Sequence, residues 1–436
     1  MIRPFALLAA LALSACAGRA PISASTPVVT EAAPRAMACP AELPAAARCL
    51  HGQDSAGAFY LVAIPPQWNG TLVLHAHGGP TLGAPKLERT VEDLQRWAVV
   101  VKAGYAWAGS SFRQGGVAVH AAAEDTERLR RIFVAQVAKP KMTILHGQSW
   151  GASVAAVGAS TYTEGKPYDA VLLTSGVLAG GSKAYDFRLD LRVIYQALCG
   201  NHPRPDETQY PLWMGLPAGA RMTAADLRQR FESCLGTDKQ RTAEQQRKVQ
   251  TIVDLVKIPA SSIAGHLNWA TFHFQDIAQL RTGGRNVFGN VGVQYADVAL
   301  DRAVQRYAAD PQAVAAFAAD TDPNGRIPVP VLTVHGIDDP TAFVEMDDSF
   351  RRTMERAGTA GHLVQTFTSD NTHSYLSEPV YPALLAVLSE WARGGSKPTP
   401  SLVAARCAEL EVTYGKGCRF RTDYVPQPLS ARVPPR

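Results

Sequence analysis

One stretch, Lys141-Met142-Thr143-Ile144-Leu145-His146-Gly147-Gln148-Ser149-Trp150-Gly151-Ala152-Ser153-Val154-Ala155, constrains the fold of this chain more than any other. A short apolar run leads into Gly-x-Ser-x-Gly, and small, helix-forming residues follow it. That order predicts a strand, a tight turn and a helix, with Ser149 at the turn. A residue at so sharp a reversal takes a strained backbone conformation with its side chain projecting. Glycines two positions away on each side remove the Cβ atoms that would collide where strand and helix pack closely. Ser149 is therefore a candidate nucleophile, although the five residues alone also fit a Gly/Ser turn without chemistry.

The flanking chain supplies a context for that turn. Residues 58–64 and 71–77 read as strands around the turn-prone Pro65-Pro66-Gln67-Trp68-Asn69-Gly70, and the second runs into His77-Gly78-Gly79-Pro80-Thr81. A helix over 87–102, a strand over 105–110 and an amphipathic helix over 121–138 precede the serine, while a helix over 152–162 and an apolar strand over 169–176 follow it. Alternation of this kind implies an α/β protein with a mostly parallel sheet covered on both faces.

Between about residues 180 and 326 the alternation stops. This part is helix-rich and loop-rich, with an extended polar helix over 242–256, and it reads as an inserted cap. Trp213, Trp269, Phe272 and Phe274 either line a pocket under the cap or form its own small core. Alternation resumes with Val331-Leu332-Thr333-Val334-His335-Gly336-Ile337-Asp338-Asp339-Pro340, an apolar strand entering an Asp-bearing turn. A helix over 342–357, a strand over 363–367, the loop Ser369-Asp370-Asn371-Thr372-His373-Ser374 and a helix over 381–391 complete it. Residues 394–400 read as a linker, and the remainder as a tail with no legible chemistry.

These motifs, in this order, resemble the α/β-hydrolase superfamily: a strand ending in His-Gly-Gly-Pro, a Gly-x-Ser-x-Gly elbow and a later His-Gly-x-x-Asp turn. The resemblance spans about residues 59–393 excluding the cap. It implies a triad in the chain order Ser, acid, His, with Ser149 as nucleophile and Asp339 as acid, Asp338 being the adjacent alternative. No carboxylate ends the strand over 169–176, which removes the superfamily's other place for the acid. Of eleven histidines only His362 and His373 follow the acid. His362 precedes its strand and belongs at the opposite edge of the sheet, so His373 is the expected base. The resemblance also implies an oxyanion hole from the backbone N–H groups of Gly79 and Trp150; Pro80 has no N–H to give.

An ester is the expected substrate, through an acyl-enzyme intermediate. The two motifs around Gly79 and Ser149 also look like those of prolyl iminopeptidases and their secreted relatives, which implies an aminopeptidase as the alternative. Thr81 and Gln148 stand where that family usually has glycine. Asp186, Asp190, Glu207 and Glu232 in the cap are the candidates for binding a substrate amine, or are solvated surface charges. A catalytically inactive binding protein on the same scaffold is a third reading.

With 436 residues, 46% hydrophobic and 19% charged, the composition is that of a globular protein. The net charge of +5 comes from interspersed acids and bases without a basic stripe, so no nucleic-acid partner is expected. The chain carries no His-x-x-x-His, dinucleotide loop or phosphate loop, and neither a metal nor a cofactor is expected.

Met1-Ile2-Arg3, the apolar residues 5–13 and the small-residue ending before Cys16 read as an export signal, too short to be a mature membrane span. Leu13-Ser14-Ala15-Cys16 resembles the bacterial lipoprotein signal box. That implies lipidation of Cys16, and Ala17 beside it implies outer-membrane retention, facing the periplasm or cell surface. The membrane would then be met only through that anchor.

Seven cysteines become six once Cys16 is set apart, in a compartment where disulfides persist. Adjacency favours Cys39 with Cys49, Cys199 with Cys234 and Cys407 with Cys418, among fifteen possible pairings. The expected organisation is a signal over 1–16, a flexible tether over 17–40, hydrolase core over 41–180, cap over 181–327, core again over 328–394, and a disulfide-stapled tail over 395–436.

Overall fold

The computed structural model describes residues 30–436. The expected signal, Cys16 and residues 17–29 of the expected tether lie outside them.

Nine strands form one sheet: β1 (Arg35–Met37), β2 (Arg48–Gln53), β3 (Phe59–Ile64), β4 (Thr71–Ala76), β5 (Ala106–Ser110), β6 (Met142–Gln148), β7 (Ala170–Thr174), β8 (Val331–Gly336) and β9 (Leu363–Thr368). They lie in the order β1-β2-β3-β5-β4-β6-β7-β8-β9. The first three pairings along that order are antiparallel and the remaining five are parallel.

Every residue of β4 to β8 is buried, which is why these strands read as near-continuous apolar runs. Alternate residues serve opposite faces. Leu72 and Leu74 pack with α3 (Val119–Gln136), α4 (Trp150–Thr161) and the helix Glu345–Arg356. Val73, between them, packs with Ala98–Lys102 and the helix Val380–Ala392 on the other side. The result is an α/β-hydrolase fold: a mostly parallel sheet between two helical layers, with a large helical insertion ahead of β8.

The insertion holds α5 (Gly181–Ala184), α6 (Asp186–Cys199), α7 (Ala224–Leu235), α8 (Ala243–Val256), α9 (Ile263–Asp276), α10 (Val298–Ala303) and α11 (Pro311–Thr321). Its polar helices start cleanly because Thr223 with Asp226, and Thr242 with Gln245, form reciprocal capping boxes. Leu191, Ile194, Ile252, Leu267 and Phe274 give it a core, and Phe274 stacks on Phe288 with centroids 4.4 Å apart. Trp213 and Phe272 pack against that core from partly buried positions. Cys199, at the end of α6, is bonded to Cys234 in α7.

Three expectations need correction. The tether does not reach Pro40, because Arg35–Met37 pairs antiparallel with β2 and Cys39 is bonded to Cys49 at that sheet edge. The helix over 87–102 breaks at Trp97 into Leu87–Arg96 and Ala98–Lys102. The break lets the fully buried Trp97 indole pack between His146 and Tyr381.

The tail is also more than a stapled end. A helix over Pro400–Tyr414 carries Cys407, which is bonded to Cys418, and Phe420 then bridges to Thr368 of β9. Arg432 pairs with Glu345 of the core at 3.0 Å and donates to the Lys257 carbonyl of the insertion at 2.8 Å, so this segment straps the two together. No helix among the described residues is long and apolar enough to cross a membrane.

The Cys199–Cys234 bridge closes a loop of 35 residues, for which chain entropy accounts for about 2–4 kcal/mol. Replacing both cysteines by serine should loosen α6 and α7 before the sheet. The expected result in limited proteolysis is new cleavage within residues 199–262 while β4 to β8 keep their amide protection in hydrogen exchange.

Candidate active site

The Ser149 backbone stands at φ 55° and ψ −121°, between the end of β6 and the start of α4. A non-glycine residue at positive φ costs of order 1–3 kcal/mol, so the surroundings must fix it. Its N–H donates to the Thr174 carbonyl at 2.9 Å, and its carbonyl accepts from Val177 N–H at 3.0 Å. Gly151 explains the spacing of the motif. A Cβ on it would sit 2.1 Å from the Ala76 carbonyl oxygen and 2.5 Å from that of His77, so only glycine lets α4 come this close to β4.

Ser149 Oγ lies 2.8 Å from His373 Nε2. His373 Nδ1 lies 2.7 Å from Asp339 Oδ2 and 3.0 Å from Oδ1. With a carboxylate at Nδ1, that nitrogen carries the hydrogen, which leaves Nε2 free to accept from the serine hydroxyl. Asp338 is exposed and takes no part, and His362 lies at the start of β9, against the Ile327 carbonyl at 3.0 Å. Asp339 is itself oriented by the N–H groups of Thr341 and Ala342, which donate to Oδ1 at 2.8 and 3.0 Å.

Behind Asp339 lies a feature that the motifs do not announce. His335 Nδ1 is 2.6 Å from Asp347 Oδ2, and its Nε2 is 2.9 Å from the Ala342 carbonyl and 3.3 Å from Asp339 Oδ2. Acceptors at both ring nitrogens require both to be protonated, so a buried imidazolium separates two buried aspartates. Burial alone would lower the pKa of His335, but the two carboxylates outweigh it and raise it from 6.5 to about 10. Burial pushes the Asp339 carboxyl up, yet His373 and His335 overcome that and hold it below the usual carboxylate range.

Gly79 and Trp150 both line the cavity around Ser149. Arg89 Nη2 donates to the Gly78 carbonyl at 2.7 Å. That carbonyl belongs to the same planar peptide as the Gly79 N–H, so pinning it aims the N–H the opposite way. Gly79 sits at φ +71°, a conformation that glycine takes at no steric cost. Trp150 opens α4, and its N–H is one of the unpaired donors at the positive end of that helix. Among the described residues neither N–H has a hydrogen-bond acceptor.

The cavity measures about 530 Å³ and reaches from Ser149 and His373 to Tyr185, Arg188 and Trp269 of the insertion. Trp269 alone of the four cap aromatics reaches it. Two histidines of α9 fasten the insertion over the site. His266 Nε2 lies 2.9 Å from the Pro340 carbonyl, and His273 Nε2 lies 2.9 Å from that of Pro80. A larger hollow of about 610 Å³ around Tyr307 and Arg436 is lined by none of Ser149, His373, Asp339, Gly79 and Trp150.

None of the four cap carboxylates borders the site. Asp190 is held by Tyr295 Oη at 2.6 Å and by Arg436, Asp186 lies 3.4 Å from Arg436, Glu207 pairs with Arg230, and Glu232 is exposed. Sequence reasoning missed Arg89, Arg188, His335 and Asp347. His335 stood in the His-Gly-x-x-Asp motif and could have been singled out, whereas nothing in a one-dimensional pattern marks an arginine that lacks a carboxylate. Among the described residues no cluster of histidine, cysteine and carboxylate could hold a metal ion.

Because the folded pKa of His335 is raised from 6.5 to about 10, its pairing contributes stability that is complete below pH 6.5 and lost as pH rises towards 10. The stability difference between the protein and its His335→Gln variant should shrink over that range. Urea titrations at pH 6, 8 and 10 would measure it, and a pH-independent difference would count against the buried imidazolium.

No protein-family model matches the chain, and no curated protein matches it. Among solved structures it is similar to feruloyl esterase B from Aspergillus oryzae, at 13% identity over 84% of this chain and 86% of that one, with a TM-score of 0.43. It is also similar to a puromycin hydrolase, at 14% identity over 83% of this chain and 40% of that one, with a TM-score of 0.39. An esterase from Pyrococcus furiosus aligns at 12% identity over 85% and 92%, with a TM-score of 0.38. These are distant likenesses, and none decides what this chain acts on.

Proposed function

We propose that the chain is an exported serine hydrolase that cleaves a carboxylic ester through an acyl-enzyme. The observation that carries this reading is the hydrogen-bonded line from Ser149 Oγ through His373 to Asp339, at 2.8 and 2.7 Å, on the wall of a cavity. In the first step His373 Nε2 takes the proton of Ser149 as Oγ bonds to the carbonyl carbon. Asp339 keeps the imidazolium in place, and the N–H groups of Gly79 and Trp150 hold the oxyanion. The carbon–oxygen bond to the alcohol breaks as His373 returns the proton to it. Water then repeats the sequence, and the acid leaves.

An aminopeptidase would need an acid to pair with the substrate's amine, and the cavity wall carries arginines and no carboxylate, which favours the ester reading. An intact, hydrogen-bonded set of reacting groups counts against an inactive binding protein. Three disulfides support an oxidising compartment, consistent with export and with anchoring through Cys16.

Ser149→Ala should lower turnover of short and medium acyl esters by a factor of about 10^4 or more with little change in melting temperature, and abolish labelling by a fluorophosphonate probe. Full activity in that variant would overturn the mechanism. Arg89→Met should lower kcat by about tenfold or more with a smaller change in KM, since it frees the peptide that aims the Gly79 N–H. Steady-state kinetics of the two variants beside the parent measure both effects.

A further inference from the structure

Arg188 is a buried cation without an anion. Only 5% of the residue is exposed, and among the described residues no carboxylate lies within ion-pairing distance of its guanidinium. Its Nε has no hydrogen-bond partner, and Nη1 reaches only the Ala184 carbonyl, at 3.4 Å. The two other arginines on the cavity wall differ. Arg89 is held by Asp93 at 3.1 Å and by the Gly78 carbonyl, and Arg96 is exposed to solvent.

Aromatic faces hold the guanidinium in place. Its central carbon lies 4.4 Å from the Trp269 ring centroid, 4.5 Å from that of Phe187 and 5.3 Å from that of Tyr185. Such contacts offset part of the cost of burying a charge but satisfy none of its donors. Burial lowers the Arg188 pKa to about 9, with Tyr185 opposing, so the group is still a cation at neutral pH. A lone buried charge of this kind is costly unless a partner arrives. Arg188 shares the wall of the cavity with Ser149 and His373.

The geometry points to Arg188 as the anchor for an anionic group on the substrate, so that the ester cleaved at Ser149 also bears a carboxylate. This rests on the hydrolase reading for the bond cleaved, but the anion site stands on Arg188 and the cavity alone. A guanidinium matches a carboxylate with two parallel N–H donors, and a buried, charge-assisted pair of this sort is worth about 10- to 100-fold in selectivity.

Two pairs of esters separate the possible positions of the charge. The p-nitrophenyl half-ester of glutarate, set against its methyl-capped counterpart, places it on the acyl arm. 4-Acetoxybenzoate, set against its methyl ester, places it on the leaving arm. In one pair the charged ester should be hydrolysed with at least tenfold higher kcat/KM than its capped partner. Arg188→Met should cut that ratio by about 10- to 100-fold, and Arg188→Lys by less, since the charge remains and the paired donors do not.

Glutarate binding to the Ser149→Ala protein, measured by calorimetry, tests the anion site without turnover, and Arg188→Met added to it should abolish the heat. Charged and capped esters cleaved alike in both pairs, or a ratio unmoved by Arg188→Met, would overturn the proposal. If no ester is cleaved and Ser149 resists the fluorophosphonate, the hydrolase reading fails, and Arg188-dependent glutarate binding would still support the anion site. Absence of that binding as well would sink both.

Discussion

The closeness of β4 to the turn between β6 and α4 governs the site. Gly151 lets the first turn of α4 rest on the carbonyls of Ala76 and His77, with no room for a methyl group. That contact brings the Trp150 N–H and the Gly78–Gly79 peptide, which come from different strand ends, to one cavity. The strained Ser149 backbone is held there because Thr174, at the end of β7, and Val177, in the loop just beyond it, bond its N–H and carbonyl. Parallel strands supply this arrangement without further design, since the C-terminal ends of β4, β6, β7, β8 and β9 share one edge of the sheet.

Behind His373 charge alternates in sign, from Asp339 through His335 to Asp347. Asp347 faces His335, His335 faces Asp339, and Asp339 faces His373. A carboxylate as deeply buried as Asp339 would be driven towards its neutral form if it stood alone. His335 supplies a fixed positive charge behind it, and Asp347, further held by Thr333 and Gln365, keeps that charge in place. The cavity on the other side of His373 is lined by cationic and neutral groups. Negative charge therefore concentrates beneath Ser149 and His373, and positive charge faces the cavity.

Much of the sheet was legible because buried parallel strands leave near-continuous apolar runs, as in residues 71–76, 142–148 and 331–336. The gathering of Ser149, Asp339 and His373 was legible for a related reason, since each follows a strand that ends at the same edge. What escaped depends on contacts distant in sequence. Arg35–Met37 is too short to show a period and is a strand only because β2 offers its edge. The break at Trp97 accompanies the packing of its indole against His146 and Tyr381, and a helical pattern carries no trace of it. In the run Asp186-Phe187-Arg188-Leu189-Asp190, the arginine next to two acids reads as a paired surface charge. The acids instead turn to Arg436, some 250 residues away, and leave Arg188 without them.

The two histidines that fasten α9 meet backbone carbonyls of prolines, residues that have no N–H of their own to offer. Each uses Nε2 as donor, and that nitrogen bears a hydrogen whether the ring is neutral or charged. Burial keeps both rings neutral, at about 3 for His266 and about 4 for His273. The roof over the cavity is thus latched by bonds that do not change sense with acidity.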